Sequence, residues 1–155
     1  MIDGKTVVCG LIGDPVEHTL SPVIHNTLAQ ETGRNLVYVP FPVKAEQVGD
    51  AVRGARALSI RGLNVTVPHK SAVIPYLSSV EREAALNGAV NTLVPEDGGY
   101  RGYNTDLTGL GRALASDGVK LSGERVILLG AGGAARAAAF LCVLRGAREV
   151  WILNR

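Results

Sequence analysis

The chain has 155 residues, 46% of them apolar and 19% charged, with a formal net charge of +2. That length suits one ordinary domain or two small ones and permits a real core, and its 19 Gly and 7 Pro follow no period, which excludes collagen-like and low-complexity chains. No apolar run reaches the roughly 18–20 residues that span a bilayer, and two cysteines, Cys9 and Cys142, are too few for a disulfide framework or a four-ligand metal site.

The opening residues lack a secretory pattern, so the expectation is a cytoplasmic protein with no membrane partner and no metal. Residues 1–100 carry 8 Lys and Arg against 10 Asp and Glu; residues 101–155 carry 8 against 4. The basic second part permits a phosphorylated ligand. It is too mild, and the 5% aromatic content too low, for a nucleic-acid surface.

Strand and helix patterns alternate from the start. Residues 5–13 (KTVVCGLIG) read as a buried strand, and Ser21-Pro22 then opens a helix to about Thr32, with Ser21 as the natural cap. Residues 36–43 (LVYVPFPV) form a second strand that Pro40 and Pro42 push toward a sheet edge. A helix over 45–58, a strand over 60–67 and a helix starting at Pro68 follow. Residues 89–94 and 100–103 flank Glu96-Asp97-Gly98-Gly99, a hairpin signal. Leu107, Leu110 and Leu114 then mark a helix over 107–115. After a polar break at 116–123 the pattern restarts as strand RVILLG, helix GGAARAAAFLCVLRG and strand EVWILNR. Alternating elements of this kind predict an α/β layer architecture with parallel pairing.

Gly130-Ala131-Gly132-Gly133-Ala134-Ala135 satisfies G-x-G-x-x-A between that strand and helix. The first glycine permits the tight turn, the second lets a pyrophosphate approach, and Ala135 allows close helix packing. An ordinary strand–helix turn is the plainer alternative, but the complete βαβ context favours a dinucleotide. The second strand ends Asn154-Arg155 without the acid that holds an NAD ribose, so Arg155 points to the 2′-phosphate of NADP, unless it is simply a frayed end.

Polar residues cluster where strands end. In Asn64-Val65-Thr66-Val67, alternation places Val65 and Val67 on one face and Asn64 and Thr66 on the other. Lys70 then falls in the first turn of the helix begun by Pro68. The helix dipole disfavours a cation there by about 0.3–1 kcal/mol and aids proton release, which suits a general acid/base; the alternative is a solvated surface lysine. Asp106 precedes the leucine helix, where it is either a functional acid or an N-cap. Asn91-Thr92 ends the strand AVNTLV, and Thr19 joins Ser21 before the first helix. His18, His25 and His69 lack metal-ligand spacing and read as structural. Lys, Asp, Asn and hydroxyl groups together suit a small polyhydroxylated substrate.

These segments resemble the shikimate dehydrogenase family. GLIGDPVEHTLSPVIHN (10–26) is similar to its opening motif, NVTVPHK (64–70) to its catalytic-lysine motif, and GAVNTL (88–93) and GYNTD (102–106) to its substrate motifs. GAGGAARA (130–137) with the final Asn-Arg resembles its NADP turn and 2′-phosphate motif. The resemblance implies a three-layer α/β substrate domain with a mostly parallel sheet over 1–106. Over 107–155 it implies a connecting helix and part of a Rossmann-type NADP unit. It also implies NADP-dependent, reversible reduction of 3-dehydroshikimate to shikimate, toward chorismate and the aromatic amino acids.

By the same resemblance Lys70 and Asp106 are the catalytic pair. Thr19, Ser21, Thr66 and Asn91 join them in binding substrate, and Gly130, Ala131, Gly132, Gly133, Ala134, Asn154 and Arg155 bind the cofactor. Thr19 stands where a serine is usual, and Leu107 where a glycine is usual. Family members are longer, so the expectation is a shortened chain that turns over poorly. A homodimer is compatible with the sequence. The alternatives are a quinate/shikimate dehydrogenase of the same superfamily and a redox-silent shikimate-binding module.

Overall fold

The structure, a computed structural model, describes residues 2–155. Its chain order is β1 (Val7–Gly13), α1 (Ser21–Glu31), β2 (Leu36–Pro42), α2 (Val48–Ala57), β3 (Gly62–Val65), β4 (Ser79–Val80) and α3 (Arg82–Asn87). Then come β5 (Thr92–Glu96), β6 (Gly99–Tyr103), α4 (Asp106–Ser116), β7 (Arg125–Leu129), α5 (Gly133–Leu144) and β8 (Glu149–Leu153). The chain divides into two compact units, one ending at Tyr103 and one running from Asn104 to Arg155.

The first unit holds a mixed, mostly parallel sheet in the order β2-β1-β3-β5-β6-β4. β1 pairs in parallel with β2 and β3, β4 with β6, while β3/β5 and β5/β6 are antiparallel. Neighbouring strand residues face opposite ways, so Leu11 and Ile12 of β1 seed two separate cores. Ile12 joins Leu63, Val65, Leu93 and Tyr100 with Val48, Val52 and Ala55 of α2. Leu11 packs with Val16 and Tyr38 on the other face, where His25 of α1 stacks on the Tyr38 ring. This is the expected three-layer α/β arrangement.

β2 lies at the sheet edge, as its two prolines predict. Its outward backbone is occupied locally: the Asn26 side chain accepts from the Tyr38 N–H at 2.8 Å and donates to the Tyr38 carbonyl at 3.0 Å. The hairpin also forms as expected, with Glu96 opposite Gly99 and Gly98 at φ 85°.

Three element expectations are corrected. The helix over 45–58 splits into a 3-10 turn at Ala45–Gln47 and α2. The strand expected over 60–67 stops at Val65, where its partner β1 ends, so Val67 is exposed rather than sharing the Val65 face. No α-helix starts at Pro68. Residues 67–73 form hydrogen-bonded turns that lead to a 3-10 turn at Ile74–Tyr76, where Pro75 has no N–H to continue a helix.

The second unit contains β7 and β8, paired in parallel with Arg125 opposite Glu149 and Leu129 opposite Leu153. α5 connects them, completing the βαβ pattern. Leu107 of α4 packs with Ala137 and Leu141 of α5 in a small apolar cluster. Among the described residues no helix is long and apolar enough to cross a membrane.

Candidate active site

Parallel pairing brings the C-terminal ends of β1, β2 and β3 to one edge of the sheet, and the antiparallel β5 begins there, with Thr92 opposite Asn64. Asn91-Thr92 therefore stands at the start of its strand and not at its end. The reversal places it beside the Asn64 segment. Gly13 closes β1 against the same segment: a Cβ there would lie 2.4 Å from the Thr66 methyl, so only glycine lets Thr66 sit at this corner.

Ser21 is not the cap of α1. Leu20 occupies the capping position without a side-chain bond, and Ser21 is the first helical residue beside Pro22. Its hydroxyl is released to the site, accepting from Thr19 Oγ1 at 3.2 Å, and it opposes the rise of the Tyr38 pKa. Thr19 and Ser21, both expected in the site, are thus in direct contact.

Sequence reasoning did not single out Tyr38. Its ring is 4% exposed and stacks on His25 with centroids 4.3 Å apart. Its hydroxyl reaches past β1 to donate to Asn64 Oδ1 at 2.7 Å. Burial is the main cause that pushes its pKa up to about 12, with the Cys9 thiol adding to the effect and the Ser21 hydrogen bond opposing it. Asn64 Nδ2 donates at 3.3 Å to both the Asn91 carbonyl and Thr92 Oγ1. The Thr92 hydroxyl donates in turn to Asn91 Oδ1 at 2.9 Å. A tyrosine inside LVYVPFPV reads as core, and only the strand order reveals where its polar tip arrives.

Lys70 is half-buried in the turn segment that replaces the expected helix, so the dipole argument made for it no longer applies. Hydrogen bonds to several elements hold the segment instead. His69 N–H donates to the Thr66 carbonyl at 2.9 Å, Val90 N–H to the Lys70 carbonyl at 2.8 Å, and Ser71 Oγ to the Gly88 carbonyl at 2.8 Å. The His69 ring is 1% exposed, and its Nε2 meets the Val43 carbonyl at 2.6 Å, which requires a proton on that nitrogen. His69 is structural, as expected, and it ties the Lys70 turn to the end of β2. The Val90 contact leaves Lys70 one backbone bond from Asn91. Thr66, Lys70 and Asn91 are thus gathered within one unit.

The remaining site residues belong to the second unit. Asp106 is the first residue of α4 and not its cap; its N–H is received by Asn104 Oδ1 at 2.9 Å, so the local turn-forming carbonyl belongs to Asn104. Gly130 has φ +107°, a conformation side chains rarely adopt, and its N–H donates to the Leu153 carbonyl at 2.7 Å. The glycine turn is thereby fixed beside the end of β8, where Asn154 and Arg155 follow, both exposed. Ala131, Gly132, Gly133 and Ala134 are exposed along the turn and the start of α5. Glu149 begins β8, at the opposite end from Arg155.

Residues 11–93 match the family described as the shikimate dehydrogenase substrate binding domain. The chain is 52% identical over 155 residues to a shikimate dehydrogenase (NADP(+)) of Methanothermobacter thermautotrophicus, covering 100% of this chain and 54% of that protein. A crystal structure of a shikimate dehydrogenase in complex with NADP+ superposes with a TM-score of 0.93 at 45% identity, over 100% of this chain and 53% of the other. The Listeria monocytogenes shikimate 5-dehydrogenase in complex with shikimate and NAD gives 0.93 at 42% identity, over 99% and 53%. The chain spans about half the length of the curated relatives it matches.

Proposed function

We propose, because the chain belongs to the family of the shikimate dehydrogenase substrate-binding domain, that residues 1–106 hold shikimate or 3-dehydroshikimate for NADP-dependent, reversible reduction of the ketone. Residues 107–155 then supply a connecting helix and part of the NADP-binding unit. A cytoplasmic location accompanies this reading, with Cys9 and Cys142 both free thiols.

The observation that carries the reading is the set of hydrogen-bonded hydroxyl and amide groups at the strand ends beside the Lys70 turn, Thr19 with Ser21 and Tyr38 through Asn64 and Thr92 to Asn91. Open α/β sheets bind ligands at the carboxyl ends of their strands. Groups that both donate and accept suit a ring bearing several hydroxyls and a carboxylate. In this reading Thr19, Ser21, Thr66 and Asn91 hold those oxygens. Lys70 gives or takes the proton of the reacting oxygen, and Asp106 holds the neighbouring hydroxyl.

The glycine turn fits a dinucleotide. Added Cβ atoms at Gly130, Gly132 and Gly133 would meet nothing within 4 Å, and the first turn of α5 carries no acid to repel phosphate. Gly130, Ala131, Gly132, Gly133 and Ala134 would hold the pyrophosphate at the helix N-terminus, and Asn154 and Arg155 the 2′-phosphate. The bound nicotinamide supplies or accepts the hydride.

An NADP-linked shikimate oxidation assay on the full-length protein tests this, with calorimetric titration of shikimate alongside. Lys70→Ala is expected to lower kcat by about 10²–10⁴ while shikimate still binds. Undiminished turnover in that variant would refute the catalytic role. Binding without any turnover in the unmodified protein would favour a redox-silent module.

A further inference from the structure

Consecutive residues of the Lys70 turn are fastened to different parts of the sheet. His69 Nε2 donates to the Val43 carbonyl at 2.6 Å, and Ser71 Oγ donates to the Gly88 carbonyl at 2.8 Å. Between them the Lys70 carbonyl receives the Val90 N–H at 2.8 Å. Val43 directly follows β2, whereas Gly88 and Val90 precede β5. In the sheet order β2-β1-β3-β5 the two anchors therefore flank the ends of β1 and β3, and the turn straddles the edge where the site residues gather.

Both anchors are fixed without the turn. Val43 N–H donates to the Gly13 carbonyl at 3.0 Å, and its side chain is buried in the main core. Gly88 caps α3 with φ 65°, its N–H donating to the Ala85 carbonyl at 3.2 Å. The His69 ring is buried, and its Nδ1 has no hydrogen-bond partner among the described residues, so the polar grip of the ring is through Nε2. The groups expected to hold substrate have backbone anchors of their own. Thr66 N–H donates to the Ile12 carbonyl at 3.0 Å, and Asn91 N–H to the Tyr103 carbonyl at 2.9 Å.

We propose that His69 and Ser71 are positioning residues for Lys70, a two-sided tether that fixes the turn carrying its amine. The proposal rests on the functional reading above for the proton transfer assigned to Lys70, but not for the tether itself. Proton transfer tolerates little displacement, and a shift of about 1 Å costs about 10²-fold in rate. Substrate binding by independently anchored groups is far less sensitive. A slackened tether is therefore read in turnover more than in affinity.

The test uses the full-length protein with three readouts: kcat for NADP-linked shikimate oxidation, shikimate affinity by calorimetry, and hydrogen exchange of the Val90 amide. His69→Phe keeps a ring and removes the donor. It is expected to lower kcat about 10- to 100-fold, to change shikimate affinity less than about threefold, and to speed Val90 exchange. His69→Gln, whose amide N–H falls near the Nε2 position, is expected to recover most of kcat; His69→Asn, whose amide falls near Nδ1, is not. Ser71→Ala alters an exposed side chain and serves on its own should His69→Phe fail to fold. It is expected to lower kcat about 3- to 10-fold and to speed Val90 exchange, with Ser71→Thr restoring both. Unchanged kcat in His69→Phe and Ser71→Ala, or kcat and affinity falling in step, would overturn the positioning role. So would equal kcat in His69→Gln and His69→Asn. If the unmodified protein binds shikimate without turnover, the proton-transfer reading fails and Val90 exchange decides the tether: faster exchange in both variants upholds it, and unchanged exchange overturns it.

Discussion

Strands β1 and β3 of the first unit and β7 and β8 of the second draw on the same Val, Ile and Leu vocabulary, yet their surroundings differ. Leu11, Ile12, Leu63 and Val65 are each at most 4% exposed, whereas Ile127 is 63% and Leu129 83% exposed. β1 is flanked by a strand on each side and contributes a buried residue to a packed cluster on each face, while β7 has β8 as its only paired strand among the described residues. Apolar composition states a strand's demand for burial. Strand count and layering decide whether the demand is met, and a two-stranded pair meets little of it.

This comparison can be broken most sharply at Leu93, which is fully buried where α2 meets the sheet. Leu93→Ala in the 155-residue chain is expected to cost about 2–5 kcal/mol in denaturant unfolding. A loss below that range would mean the first unit is no better packed than the second.

A smaller effect lies on the polar face of the same sheet. The Tyr38 pKa is raised from 10.0 to about 12 in the folded protein, so its stabilising contribution is complete below pH 10 and disappears as pH rises toward 12. Across that window stability is expected to fall by up to about 1 kcal/mol per pH unit. Tyr38→Phe should flatten this slope in unfolding curves taken at successive alkaline pH values; an unchanged slope would show that Tyr38 contributes none of it. The smallest effect is expected at Leu129, where Leu129→Ala should stay within about 0.5 kcal/mol because the side chain is already exposed. A Leu129 loss equal to that of Leu93 would erase the contrast between the units.

Much of this arrangement is legible in the amino-acid sequence, for local reasons. The Asp97-Gly98 turn, the edge character given by Pro40 and Pro42, and the βαβ unit around Gly130 all follow from chemistry within a few residues. The errors come where tertiary contacts override local preference. A proline that suits the first turn of a helix opens no helix at Pro68, because Pro75 interrupts it and bonds to β2 and the segment before β5 hold the chain instead. Ser21 and Asp106 are each one position inside the helix they were expected to cap, which leaves Leu20 and Thr105 in the capping places. Within the candidate site, Thr19, Ser21, Thr66, Lys70 and Asn91 stand out as polar groups at element ends. Tyr38 and Asn64 join them through a contact that skips over β1, and no spacing along the chain encodes the order β2-β1-β3.

The Asn26 clasp on β2 bears on how the protein behaves among copies of itself. In a parallel strand the backbone groups at alternate positions point the same way, so Leu36, Tyr38, Pro40 and Pro42 form the outward rim. Leu36 N–H is already spent on the Arg34 carbonyl, Tyr38 N–H on Asn26, and the two prolines have none to offer. A stray extended segment arriving at this rim finds no donor with which to begin a ladder. With its donors spent and only carbonyls left to accept, the rim is a poor template for strand growth on this side. Asn26 thus blunts the open edge of the sheet as well as bracing one tyrosine.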